Sequence, residues 1–342
     1  MPLRRLPSVL AGTALALAAG LAGASDPVAD FYSKRDINLY VASGPGSFHL
    51  HSTLLAPYLS RHMPGNPKVI VHQMPGAGGA KAANYLYRVA PKDGTAIANL
   101  VPLLAVTQAI GSPEAQYDAA KFGYLGSIAA TNSVLATWNG TTPARSFEEM
   151  KQKEVILGSA GVTSITFIGP TLSNQFLGTK FKIITGYPNA GAINLAMEKQ
   201  EVHGRVADIE GILGVYPDWI PKKLVTLHFH TGLERDPSMP NVPRMIDLAQ
   251  KDEHKAILEF IASGSALGRL YVAPPEVPAA RLRALQEAFM KAVNDPEYKK
   301  FLADRKLLHD PKSGAELKKI VDRVLAAPPS VVEPVKALLK AK

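Results

Sequence analysis

From Ile37 onward, short apolar runs alternate regularly with amphipathic segments, and this alternation most restricts what the chain can fold into. INLYVA at 37–42 reads as a buried strand, and HLHSTLLAPYLSRHM at 49–63 sets Leu50, Leu54, Leu55 and Leu59 at helical spacing. KVIVHQM at 68–74 is a second strand, a helix follows from Gly79 to about Val89, and TAIANLV at 95–101 is a third strand. After ATNSVLATW at 130–138 the same logic repeats. VILGSA (155–160) and FKIITGY (181–187) read as strands, with helices over about 164–177 and 193–200. Further strands fall near 202–209 and 223–229, and a late helix starts near Pro278. Repeats of this length predict parallel sheets covered by helices. The expected architecture is two α/β lobes, with the C-terminal segment returning to the first.

The 342 residues suffice for two ordinary domains, and 46% hydrophobic with 20% charged residues describes a globular chain. The first 24 residues read as a secretory signal: Arg4 and Arg5, then VLAGTALALAAGLAG, then a small-residue site at Ala22-Gly23-Ala24. That apolar run is about 15 residues, short of the ~20 a membrane span needs. The net charge of +9 falls to +7 once Arg4 and Arg5 are removed, and the remaining basic residues are dispersed. There is no concentrated basic stripe with interleaved aromatics, so nucleic acid is not an expected partner. The chain has no cysteine. Disulfides, thiolate metal sites, cysteine nucleophiles and a lipoprotein anchor are therefore ruled out. The mature protein is expected near Ser25, periplasmic and monomeric.

Glycine-rich turns follow several of the strands. GPGSFH (44–49) follows the first, and GSAGVTS (158–164) follows the first strand of the second lobe. A helix start exposes unpaired backbone N–H groups and partial positive charge, and glycine lets a ligand approach the backbone. An anion is the natural guest, at the carboxyl ends of the strands. Ser159, Thr163 and Ser164 add hydroxyl donors and acceptors. Gly76–Gly79 reads better as a tight corner. Neither the dinucleotide fingerprint nor GxxxxGK[ST] is present.

Other chemistry has little to stand on. His49 and His51 are two apart on a helix and do not face one side. His228 and His230 share a strand face but lack a third ligand, so no metal is expected. Asp208 and Glu210 on one strand would share a face as pocket polarity or a solvated strand end. No GxSxG elbow and no nucleophile with its base is recognisable.

MPGAGGAKAANYLYRVAPKDGTAIA at 74–98 resembles the signature of the tripartite tricarboxylate transporter receptors, the Bug proteins. The resemblance extends through RHMPGNP (61–67), GYPNAG (186–191), LAMEKQEVHGR (195–205), ERDPSMPNVP (234–243) and GRLYVAPPEVPAARLRALQEAF (268–289). It implies a two-lobe periplasmic-binding-protein fold (type II-like), with a hinge and an interlobe cleft that closes on a small carboxylate. Its partners would be the large and small membrane subunits of a tripartite transporter, with no cofactor and no catalysis. On this reading lobe 1 spans 31–132, lobe 2 spans 133–268, and 269–342 returns to lobe 1.

The family's ligand-binding positions fall here on Gly46, Ser47, Phe48 and His49, and in the second lobe on Ser159, Gly161, Val162, Thr163 and Ser164. Tyr187 and Asn189 match the far wall of the cleft, and Asp208 is a further candidate. One departure stands out: His49 replaces the family's usual aspartate. If that ring faces the cleft, ligand affinity is expected to be greatest below its free pKa. The rival functions are a ligand sensor feeding a signalling partner and a hydrolase using the same cleft.

Overall fold

A computed structural model describes residues 26–236, 238–305 and 307–340. The signal segment expected over 1–24 lies outside the described residues. Among the described residues, eleven strands form two sheets. They are β1 (Ile37–Val41), β2 (Val69–Gln73), β3 (Ala96–Leu100), β4 (Gly123–Ser127), β5 (Ser133–Trp138) and β6 (Val155–Gly158), then β7 (Phe181–Ile184), β8 (Gly204–Asp208), β9 (Val225–His230), β10 (Leu270–Ala273) and β11 (Lys312–Ser313). The first sheet has the order β11-β4-β10-β3-β1-β2, and the second β7-β6-β8-β5-β9.

Both sheets are mixed, where the alternating pattern predicts parallel ones. β1 runs parallel to β2 and β3, with Leu39 opposite Val71 and Ile97. β10 then enters between β3 and β4 antiparallel to both, returning from far along the chain. In the second sheet β6 pairs parallel with β7 and β8, while β5 pairs antiparallel with β8 and β9. Every residue of β3 is buried, as a strand covered on both faces requires.

The helix Ser47–His62 packs on β2 and on the helix Ala279–Val293. Leu55 and Leu59 join Leu285 and Phe289 in one core cluster. Ser47, His51, Leu55 and Leu59 recur every four residues, and all are buried. That spacing is one face of a helix, so His51 points inward with the leucines and His49 does not share its direction. No helix of the described residues is long and apolar enough to cross a membrane.

A candidate anion-binding cleft between the lobes

Three helices begin where the two sheets face each other. Ser47–His62 follows β1, Ile165–Leu172 follows β6, and Ala190–Glu198 follows β7. Ser164 caps the second by accepting from Thr166 N at 3.2 Å, and Asn189 caps the third by accepting from Ala192 N at 3.0 Å. Gly46 opens the first with φ of 151° and no side-chain cap. Its first-turn amides, which lack intrahelical partners as in any helix, are thus left without a side-chain cap.

These starts surround a cavity of about 210 Å³. Gly46, Ser47 and Phe48 line it from the first lobe, and Thr163, Ser164 and Asn189 from the second, together with Asp208. His49, Ser159, Gly161, Val162 and Tyr187 are not among its lining residues. Ser159 is fully buried and bonds Thr166 Oγ1 at 3.1 Å, so it braces the turn. Val162 is 42% exposed. The Nδ1 of His49 is buried without a partner.

The Gly76–Gly79 corner does more than turn the chain. Thr163 Oγ1 donates across the cleft to Ala77 O at 2.5 Å. Gly78 has φ of 62°, and a Cβ there would lie 2.4 Å from Thr163 Oγ1. Only glycine both adopts that backbone and leaves room for the opposite lobe.

No protein-family model and no curated protein matches the sequence. Solved structures do match. The periplasmic binding protein BugD superposes with a TM-score of 0.70 at 17% identity, covering 89% of this chain and 98% of BugD. Rpa4515 of R. palustris with adipate gives 0.69 at 17% identity, covering 90% and 98%. MatC of Rhodopseudomonas palustris with bound malate gives 0.65 at 17%, covering 90% and 99%. The chain has the two-lobed periplasmic-binding-protein fold. BugD bears the name of the group that the motifs at 61–289 resemble.

In this binding-protein fold the lobes are joined beside the cavity by a buried ionic cluster. Arg269, just before β10 and fully buried, bonds Asp208 Oδ2 at 2.5 Å and Glu210 Oε2 at 2.6 Å through Nη2. Asp208 Oδ2 also accepts from Ser47 Oγ, and Glu210 Oε1 accepts from Leu308 N. His51 Nε2 donates to Glu210 Oε2 at 3.0 Å. Burial, with Arg269 next, holds the His51 imidazole below its usual range against the pull of the two carboxylates. Its ring is neutral, and Nδ1 is left without a partner. Burial pushes the Glu210 carboxyl up, but Arg269, His51 and the Leu308 amide outweigh it and hold it below the carboxylate range.

Asp208 and Glu210 do not share one strand face, contrary to the sequence expectation. β8 ends at Asp208, and Glu210 lies in the helix Ile209–Val215. They converge because the chain turns at Asp208, where Arg269 and His51 come up from the other lobe. Sequence reasoning missed Arg269 and also Arg205, which lines the cavity. The one signal for either was a charged residue inside an otherwise apolar run, HGRVA and GRLYVA.

The histidine pairs do not assemble. His228 Nε2 bonds Thr137 Oγ1 at 2.8 Å, and His230 Nδ1 accepts from Gly232 N at 3.2 Å. No group of three potential metal ligands occurs among the described residues.

Proposed function

We propose that the chain is an exported receptor for a small organic carboxylate. It binds the anion between the lobes and delivers it, by lobe closure, to the large and small membrane subunits of a tripartite tricarboxylate-type transporter. The observation that carries this reading is the convergence of three helix starts on one interlobe cavity. Their aligned N–H dipoles favour negative charge there. Adipate and malate, bound by the compared Rpa4515 and MatC, belong to the same ligand chemistry. The hydroxyls at the site are engaged in structure: Ser47 donates to Asp208, Ser164 caps its helix and Thr163 ties the lobes together. The role is binding and release without turnover.

A thermal-shift screen against mono-, di- and tricarboxylates tests the reading. A true ligand at 100 times its Kd should add about 2.7 kcal/mol to the folded state. A panel in which no carboxylate moves the melting temperature, while uncharged analogues do, would contradict it.

A further inference from the structure

Arg205 lies in β8 with 6% of its surface exposed, and lines the cavity. Nε donates to Asn194 Oδ1 at 2.6 Å and Nη1 to Val206 O at 3.2 Å. No acceptor among the described residues pairs with Nη2, and no carboxylate bonds this guanidinium. Burial pushes it down to about 10, and the charges of Tyr216 and Asp208 offset only part of that. Arg269, buried as deeply, has two carboxylates of its own. A buried guanidinium with no carboxylate bonded to it is costly, and a ligand carboxylate removes that cost.

Only Arg205 and Asp208 among the lining residues carry a charge, and Asp208 is already committed to Arg269 and Ser47. The remaining wall includes Phe48, Val101, Leu103, Ile165 and Val215. The helix starts point into the same space and strengthen its field, but they supply partial charge, not a second cation.

We infer that Arg205 is the ligand's charge partner, selecting compounds with one carboxylate on an uncharged, largely apolar body. The inference rests on the receptor reading above. A second carboxylate would be desolvated with no second cation to meet it, close to Asp208. A neutral amide could accept from Nη2 but would bring no counter-charge.

Calorimetric titration of the mature protein with hexanoate, adipate, benzoate and hexanamide tests this. The wild type should bind hexanoate and benzoate, with adipate and hexanamide each weaker by roughly 10-fold or more. Arg205→Gln should weaken hexanoate by roughly 10- to 100-fold, and Arg205→Lys should recover part of the loss. Without ligand, Arg205→Gln should melt no lower than the wild type, because an unpaired buried charge has gone. An arginine with a purely structural role would lower that temperature. Equal hexanoate affinity in wild type and Arg205→Gln overturns the anchor and leaves the receptor reading standing. Adipate binding the wild type as tightly as hexanoate overturns the single-carboxylate class, and this arm needs no variant. Binding of hexanamide by the wild type with none of the three carboxylates overturns the receptor reading as well.

Discussion

Replacing Arg269 with methionine is expected to destabilise the protein by about 3–5 kcal/mol. The side chain is fully buried, and one nitrogen, Nη2, satisfies both Asp208 and Glu210. Without it two carboxylates from the second lobe, Glu210 buried and Asp208 at the cavity wall, would sit together beside His51 with no cation between them. Burying an uncompensated charge is the costly event, more than losing the bonds themselves. Adding Asp208→Asn and Glu210→Gln to the methionine variant should restore most of the lost stability, since these residues act as one network. Urea unfolding of the single and triple variants checks both results. A loss below about 1 kcal/mol for Arg269→Met would place the cluster in water, where ion pairs contribute little.

Stability should also fall steeply between pH 7 and pH 4. Burial lowers the imidazole of His228 from its ordinary 6.5 to about 4. Between those values the unfolded chain binds a proton that the folded chain refuses. The stability His228 contributes is therefore complete above about 6.5 and is lost as pH falls towards 4. At 1.36 kcal/mol per pKa unit, that shift corresponds to about 3 kcal/mol. His51, His203 and His230 are shifted in the same direction, each with burial as the first cause. The Glu210 carboxyl, held low, adds a further loss at more acid pH, as it is protonated below its unfolded value. Denaturant unfolding at half-unit pH steps should give the slope. His228→Gln, which keeps a hydrogen-bonding group near Thr137, should flatten it. An identical slope in the variant would mean that His228 is solvated and titrates normally.

Most strands and the first two helix starts were legible because their signals are local, whereas β4, β5 and β11 were not read as strands and the third helix begins at Ala190, ahead of the expected 193. Ile37–Val41 and Val155–Gly158 are short apolar runs ended by glycine-rich turns, and the first turn after each strand does face the cavity. Strand direction was not legible. β10 reaches its slot between β3 and β4 only after the whole second lobe has been built, a pairing that no local pattern encodes. The site divides in the same way. Ser47, Phe48, Thr163 and Ser164 sit on turns that glycine and hydroxyl content reveal, whereas Asn189 was reached only through the family resemblance of GYPNAG. Arg205 and Arg269 gain their meaning from partners elsewhere in the chain. Arg269 lies 61 residues from Asp208 in sequence. His51 could have been separated from His49 by helical phase alone, because it falls on the four-residue rhythm of Leu55 and Leu59.

A crystal structure of the mature protein grown with hexanoate is the most direct test of the central claim, that a carboxylate is held between the lobes. The expected result is a carboxylate inside the cavity lined by Ser47, Thr163 and Asn189, within hydrogen-bonding distance of Arg205 Nη2. Thr163 should still bond to Ala77 and Arg269 to Asp208 across the closed cleft. Hexanoate bound elsewhere on the surface, with both lobes apart and the cavity filled by water alone, would contradict it.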